Sequence, residues 1–203
     1  MAKRKQTGAR AAVALTKEQV YYIIDEFEKD GDIRMSTIVA LEYQGPLRIG
    51  DVLSITKEQV YLPDGQVKEN IDMWEQKTGK RKKIFVYCRN SRERGMLYHL
   101  LNDYRPKLNN LPNSSVMFFG NKGTPLTSRG VNDKLTKFIG KRNISQCSSH
   151  SIRKACATDL MLNQHVDIES VRDLMNHADT KTTRRYLNIT EENRVAVQKM
   201  AAL

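Results

Sequence analysis

The sequence predicts an α+β fold, mostly helical, with one small three-stranded antiparallel sheet. Three observations lead there. Apolar residues recur at helical spacing through most of the chain. One stretch, residues 59–87, switches to short β-branched and aromatic runs separated by turn residues. The length, 203 residues, suits one domain or a domain with a short appendage.

Thr16 and Gln19 form a capping box, after which Val20, Ile23, Ile24 and Phe27 line one helical face until "KDGD" stops the run. A second helix is expected over residues 35–43, broken at Gly45-Pro46. The break sets Arg48 at the start of "LRIGDVLSI", where Leu47, Val52, Leu53 and Ile55 can pack while Arg48 and Asp51 share a face. "QVYL", "NIDMWEQ" and "KKIFVY", punctuated by "PDG" and "KTGK", read as the three strands, with Lys77 in the last turn. Ser91 then opens a helix with Leu97, Leu100, Leu101 and Tyr104 on its core face, ending at Pro106. "VMFF" is short and expected to be buried, and Thr127 or Ser128 caps a helix carrying Val131, Leu135, Phe138 and Ile139. Three helices follow, roughly residues 149–163, 168–176 and 181–187, and Thr190 can cap a last one, "EENRVAVQKMAAL".

The formal net charge of +11 makes a polyanion the natural partner, nucleic acid first. Charge alone does not single out DNA, because RNA-binding and ribosome-associated proteins share this balance. Residues 1–15, with Lys3, Arg4, Lys5 and Arg10, are expected to form a flexible basic arm. Cys88, Cys147 and Cys156 form no CxxC pair and stand at no zinc-ligand spacing beside a histidine, which points to reduced thiols. "AAVAL" is too short for a signal segment and no run approaches membrane-spanning length, so a soluble, cytoplasmic protein without a membrane partner is expected.

The chemistry concentrates near the end of the chain, where His150, His165 and His177 account for three of the four histidines. His150 and Arg153 lie three apart at a helix start, emerging on one face where the helix N-terminus favours an anion. His177 follows Asn176, a residue that tolerates the positive φ of a helix end. Thr182 and Thr183 then occupy a first helical turn, with Tyr186 one turn on. Each feature alone has an ordinary reading: a chance HxxR, a histidine stabilising a helix C-terminus, a half-buried tyrosine. His99 and His165 belong to no such motif.

In combination, "GPLRIGDVLSI", "EQKTGK", "HSIRKACATDL" and "LMNHADTKTTRRYL" occur in one order in one basic chain. This closely resembles the tyrosine recombinase (phage integrase) family, over residues 16–203, a stretch matching its catalytic domain. The resemblance implies a catalytic set of Arg48, Lys77, His150, Arg153, His177 and Tyr186, with Asp51 as a supporting acid. Lys80, Arg81, Lys82 and Lys83 compete with Lys77; simple phosphate contact is the ordinary reading of that cluster.

Each residue type suits a task in phosphodiester cleavage. A tyrosine hydroxyl, with a reference pKa of about 10, needs a proton acceptor and positive potential to attack at neutral pH. His150 and the arginines can supply both. Guanidinium groups such as Arg48 and Arg153 can clamp the nonbridging oxygens, His177 adds a donor, and Lys77 can protonate the departing 5′ oxygen. The product implied is a 3′-phosphotyrosine link that allows re-ligation, with no ATP, metal or other cofactor required. The sequence contains no GxxxxGK[ST] loop and no carboxylate cluster of the metal-nuclease kind.

The resemblance further implies double-stranded DNA as partner, a homo-tetramer assembled on it, and a phage or other mobile element as source. The family usually places a helical core-binding domain before this one, so the chain resembles a short fimbrial-type recombinase or a piece of a longer integrase. Residues 188–203 match the tail that the family exchanges between protomers, and packing on its own domain is the other reading. Asn176 stands where the family usually has Gly, Lys154 follows Arg153 where His or Arg is frequent, and Asn188 replaces a frequent His. A non-catalytic DNA-binding regulator, and a type IB topoisomerase-like or telomere-resolving relative, are the competing readings. Covalent adduct formation separates the first of these from the enzymes, and strand exchange separates the second.

Overall fold

A computed structural model of the chain describes residues 15–86, 95–120, 122–140 and 147–187. The expected arm up to residue 14, Cys88, the helix start at Ser91 and the tail from residue 188 lie outside the described residues. Helix α1 (Lys17–Lys29) opens on the capping box: Thr16 Oγ1 accepts from the Gln19 amide at 3.2 Å and the Thr16 amide donates to Gln19 Oε1 at 2.9 Å. Its four apolar residues are buried, and so is Leu15, which belongs to the core rather than to the arm. Asp32 caps helix α2 (Ile33–Gln44), accepting from the Met35 amide.

Helix α2 is the centre of the molecule, buried continuously from Met35 to Tyr43 and packed against α1 and three later helices. A helix that is buried all round favours internal partners for its polar residues. Ser36 donates to the Ile24 carbonyl at 3.2 Å and Thr37 to the Ile33 carbonyl at 2.7 Å. Short helices α3 (Ile49–Leu53) and α4 (Lys57–Val60) follow.

Among the described residues the sheet has two strands, β1 (Asn70–Trp74) and β2 (Arg81–Phe85), antiparallel, with Ile71 opposite Ile84 and Met73 opposite Lys82. The third expected strand, "QVYL", is not one. Thr56 and Gln59 form a second capping box that winds this segment into α4, leaving a single bridge between Tyr61 and Val67 across the Pro63-Asp64-Gly65 turn. Apolar β-branched content signalled burial here, but local capping chemistry chose the helix.

Gly45 is where α2 ends against the hairpin. A Cβ there would lie 3.0 Å from Leu47 Cγ, 3.1 Å from Ile84 Cγ1 and 3.1 Å from the Leu41 carbonyl oxygen, so an added methyl would crowd both side chains and the helix end. Gly45→Ala is expected to destabilise the fold by about 1–3 kcal/mol, read as a lower urea midpoint at unchanged slope.

Helix α5 (Met96–Tyr104) buries Leu97, Leu100, Leu101 and Tyr104, and a 3₁₀ turn takes the chain past Pro106. Met117 and Phe118 are fully buried. Thr127 accepts from the Gly130 amide at 3.1 Å and caps α6 (Ser128–Gly140). Among the described residues the remaining helices are α7 (Ser149–Leu162), α8 (Ile168–Leu174) and α9 (Thr180–Tyr186). One large core joins α1, α2, the hairpin, α5, α6 and the first half of α7. A second, small cluster of Ala157, Val171, Met175 and Leu187 gathers the rest of α7 with α8 and α9. With each buried aliphatic side chain worth about 1.5–3 kcal/mol, this cluster fastens α9 far less firmly than the main core holds α2.

Candidate active site

Arg48 is the N-cap of α3, in extended conformation after Gly45-Pro46, and so stands clear of the helix it begins. Its Nη1 donates to Glu75 Oε2 at 2.7 Å and lies 3.9 Å from Asp51 Oδ2. Asp51 is buried, and its Oδ1 accepts the Gln76 amide at 2.9 Å. Glu75 follows β1 directly, and its Oε2 also accepts from Thr78 Oγ1 at 2.7 Å. Burial works against the Glu75 charge, but the hydrogen bonds from Thr78 and Arg48, with the Arg48 charge, more than offset it and hold the carboxyl below its ordinary range.

Lys77 sits exposed in the turn between β1 and β2. Gly79, at φ +64°, closes that turn, donating to the Glu75 carbonyl at 2.8 Å while the Glu75 amide donates to Lys80 at 2.9 Å. Lys82 faces inward beside Ile84 and donates to the Leu174 carbonyl. Burial pushes its pKa down to about 8.

A Ser148–Ser151 capping box starts α7, and its first turns carry His150 and Arg153. Arg153 is 2% exposed; its Nη2 donates to the Met175 carbonyl at 2.8 Å and its guanidinium lies 5.8 Å from the centre of the Tyr186 ring. Arg153 and Lys82 thus both serve carbonyls at the C-terminus of α8, where a helix favours cations. Arg153 Nε is buried with no hydrogen-bond partner, so this guanidinium keeps an unused donor. Burial and the Arg48 charge both disfavour the Arg153 cation, a repulsion that an anion between the two would relieve.

Helix α8 ends in a Schellman turn: the Asn176 amide donates to Asp173 at 3.0 Å, and the His177 amide to Arg172 at 3.0 Å. Asn176 takes φ +53°, the left-handed conformation its position implies. The turn delivers His177, 9% exposed, with Nδ1 at 3.0 Å from Thr183 Oγ1 and its ring edge-on to Tyr186 at 5.4 Å. Asp179 caps α9 through the Thr182 amide at 2.6 Å. Tyr186, at the end of α9, donates to the His150 carbonyl at 3.3 Å, and burial, only partly countered by Arg153, pushes its pKa up to about 12.

His177 is pushed from 6.5 down to about 4, by burial first and then by the Arg153 and Arg48 charges. His150 is exposed on its outer side, yet the protein around its ring and the Arg153, Arg48 and Lys77 charges lower it too. The folded state keeps His177 neutral where the unfolded chain would already bind a proton. Stability present above pH 6.5 is therefore lost as pH falls toward 4. A loss of up to about 3 kcal/mol is expected from this residue, read as the difference in urea unfolding between about pH 7 and pH 4.5, and His177→Gln should remove it.

Arg48, His150, Arg153, His177 and Tyr186 come together here from α3, α7, the α8–α9 turn and α9, and Lys77 joins them through its charge at His150. Sequence reasoning singled out neither Glu75 nor the inward turn of Lys82. Alternation along "RKKIF" was the available signal for Lys82; Glu75 had none, since its partner Arg48 is distant in sequence. His99 packs on Tyr98 and His165 is an exposed residue at φ +54°. Among the described residues no group of three His, Cys, Asp or Glu side chains can hold a metal, and no helix is long and apolar enough to cross a membrane. Cys147 and Cys156 are buried free thiols, and burial pushes both up to about 12.

Residues 14–193 match the model of the phage integrase family. A tyrosine recombinase XerC of Staphylococcus saprophyticus subsp. saprophyticus is 29% identical over 181 residues, covering 87% of this chain and 57% of the relative. The chain thus spans little more than half the length of the curated relatives it matches most broadly. The crystal structure of XerA recombinase superposes with a TM-score of 0.72 at 17% identity, covering 94% of this chain and 65% of that one. A post-cleavage complex of XerH site-specific recombinase with a palindromic difH substrate gives 0.67 at 17% identity, covering 98% and 55%. These two establish the fold, and the family match extends over most of the sequence: the chain belongs to the phage integrase family.

Proposed function

We propose that this chain cuts and rejoins DNA as the catalytic domain of a site-specific recombinase, through a covalent 3′-phosphotyrosine intermediate. The observation that carries the reading is the meeting of Tyr186 with Arg153 and His177 beside a buried, unpartnered guanidinium donor. The Tyr186 oxygen bonds to phosphorus as the bond to the 5′ oxygen breaks. Arg48 and Arg153 hold the nonbridging oxygens, where charge gathers in the transition state. His150 takes the tyrosine proton and Lys77 gives one to the 5′ oxygen. His177 stays neutral near pH 7 because of its depressed pKa of about 4. In the tautomer in which Nδ1 accepts from Thr183 Oγ1, the Nε2–H of His177 is a donor to phosphate. Asp51 supports Arg48 through their ion pair.

The basic composition, the XerC likeness and the XerH complex with its difH substrate support double-stranded DNA as partner. We further propose a tetramer on DNA, a tail of residues 188–203 exchanged between protomers, and a phage or other mobile element as source. The test uses nicked suicide duplexes cut from the DNA flanking the gene. A covalent adduct on a denaturing gel, followed by strand exchange between paired sites, is the expected result. Binding without any adduct would overturn the reading in favour of a non-catalytic regulator; an adduct without exchange would favour a topoisomerase-like activity.

A further inference from the structure

We propose that Glu75 is a positioning residue that sets the Arg48 clamp and the Lys77-bearing turn as one unit; this rests on the recombinase reading above. Its side chain is 0% exposed, and one oxygen, Oε2, receives two donors from two different elements. Arg48 Nη1 reaches it at 2.7 Å from the start of α3, and Thr78 Oγ1 at 2.7 Å from the residue after Lys77. One position on, the Gln76 amide donates to Asp51 Oδ1 at 2.9 Å, a second tie between the turn and α3. Lys77 itself is exposed, so nothing in its own packing holds it in register with a buried site. The carboxylate can do so because the Thr78 and Arg48 hydrogen bonds keep it ionised in spite of burial.

Cleavage needs charge neutralised on the nonbridging oxygens while the 5′ oxygen takes up a proton. The clamp and the acid must therefore be correctly placed at the same moment, and a misplacement of about 1 Å costs about 100-fold. A carboxylate bonded to both mounts makes their positions interdependent. Thr78 is the link to Lys77 alone, whereas Glu75 links to both.

The test compares cleavage of two suicide duplexes from the flanking DNA, identical except that one carries sulfur in place of the scissile 5′ oxygen. The thiolate departs without needing a proton, so only defects acting through Lys77 are repaired. The ratio of the two rates within one variant is independent of how much of it is folded. Thr78→Val should lose about tenfold on the oxygen duplex and nothing on the sulfur duplex. Glu75→Ala should lose about 100-fold or more on oxygen and recover about tenfold on sulfur, the remainder being the Arg48 share. Wild-type rates for both variants on both duplexes would overturn the proposal, and so would losses equal on the two duplexes. Lys77→Ala marks which reading fails. If sulfur repairs Lys77→Ala but not Glu75→Ala, the Glu75 coupling is wrong. If sulfur does not repair Lys77→Ala, the general-acid assignment itself is wrong and the coupling falls with it.

Discussion

Tyr186→Phe is expected to leave duplex binding intact and to eliminate the covalent protein–DNA adduct, with strand cleavage falling by at least about 10⁴-fold. The substitution removes the proposed nucleophile and little else. The hydroxyl makes one long bond, 3.3 Å to the His150 carbonyl, whose net worth is about 1 kcal/mol or less. The ring keeps its place against His177 and Arg153, so thermal unfolding should barely move. In the resting site Tyr186 is firmly protonated, since burial takes its pKa to about 12. In the proposed reaction, attack therefore depends on a phosphate held by the arginines and on a proton acceptor arriving together. A denaturing gel with suicide duplexes, wild type beside variant, decides the matter; an adduct that persists in Tyr186→Phe would move the nucleophile to another hydroxyl.

Arg153 should be the next most damaging position, and here catalysis and stability separate by substitution. Arg153→Ala removes the clamp and the donor to the Met175 carbonyl, in a place 2% exposed. Cleavage is expected to fall by about 10²–10³-fold, with a stability loss of about 1–3 kcal/mol from the orphaned carbonyl. Arg153→Lys keeps the charge but not the planar fork. Because Nη2 is committed to Met175 while Nε is free, one ammonium cannot serve both the helix end and a phosphate. The Lys variant should therefore be folded, by an unchanged urea midpoint within about 1 kcal/mol, and still cleave about 100-fold more slowly. Equal recovery of folding and cleavage in Arg153→Lys would make Arg153 a structural cap rather than a clamp.

Nearly every helix was legible in the sequence, because each announces itself within a few residues. Thr16 and Gln19 identify the start of α1, and the buried face of α6 is visible in Val131, Leu135 and Phe138. The misread strand at "QVYL" shows the limit of apolar content as a signal, since Thr56 and Gln59 carried the capping information that decided it. Helix α2 extends a few residues beyond its expected bounds because Asp32 caps it, and its burial on all sides is a property of its neighbours. The candidate site was readable as a set of residue types in order, but its wiring was not. Glu75, the strongest partner of Arg48, carries no local mark.

By itself, then, the sequence determined most of the helices, the hairpin turn, the basic composition and the chemical types arrayed along the chain, because caps, turn residues and periodicity act over one to four residues. The tertiary structure alone decided which of those groups meet and in what state. It placed Arg153 against Tyr186, drove the His177 pKa down to about 4, turned Lys82 inward, and joined Arg48 to the Lys77 turn through one buried carboxylate. The physical reason is range. Capping is a contact between near neighbours in the chain, whereas desolvation and charge pairing depend on whatever packing brings within a few ångströms, from any distance along it.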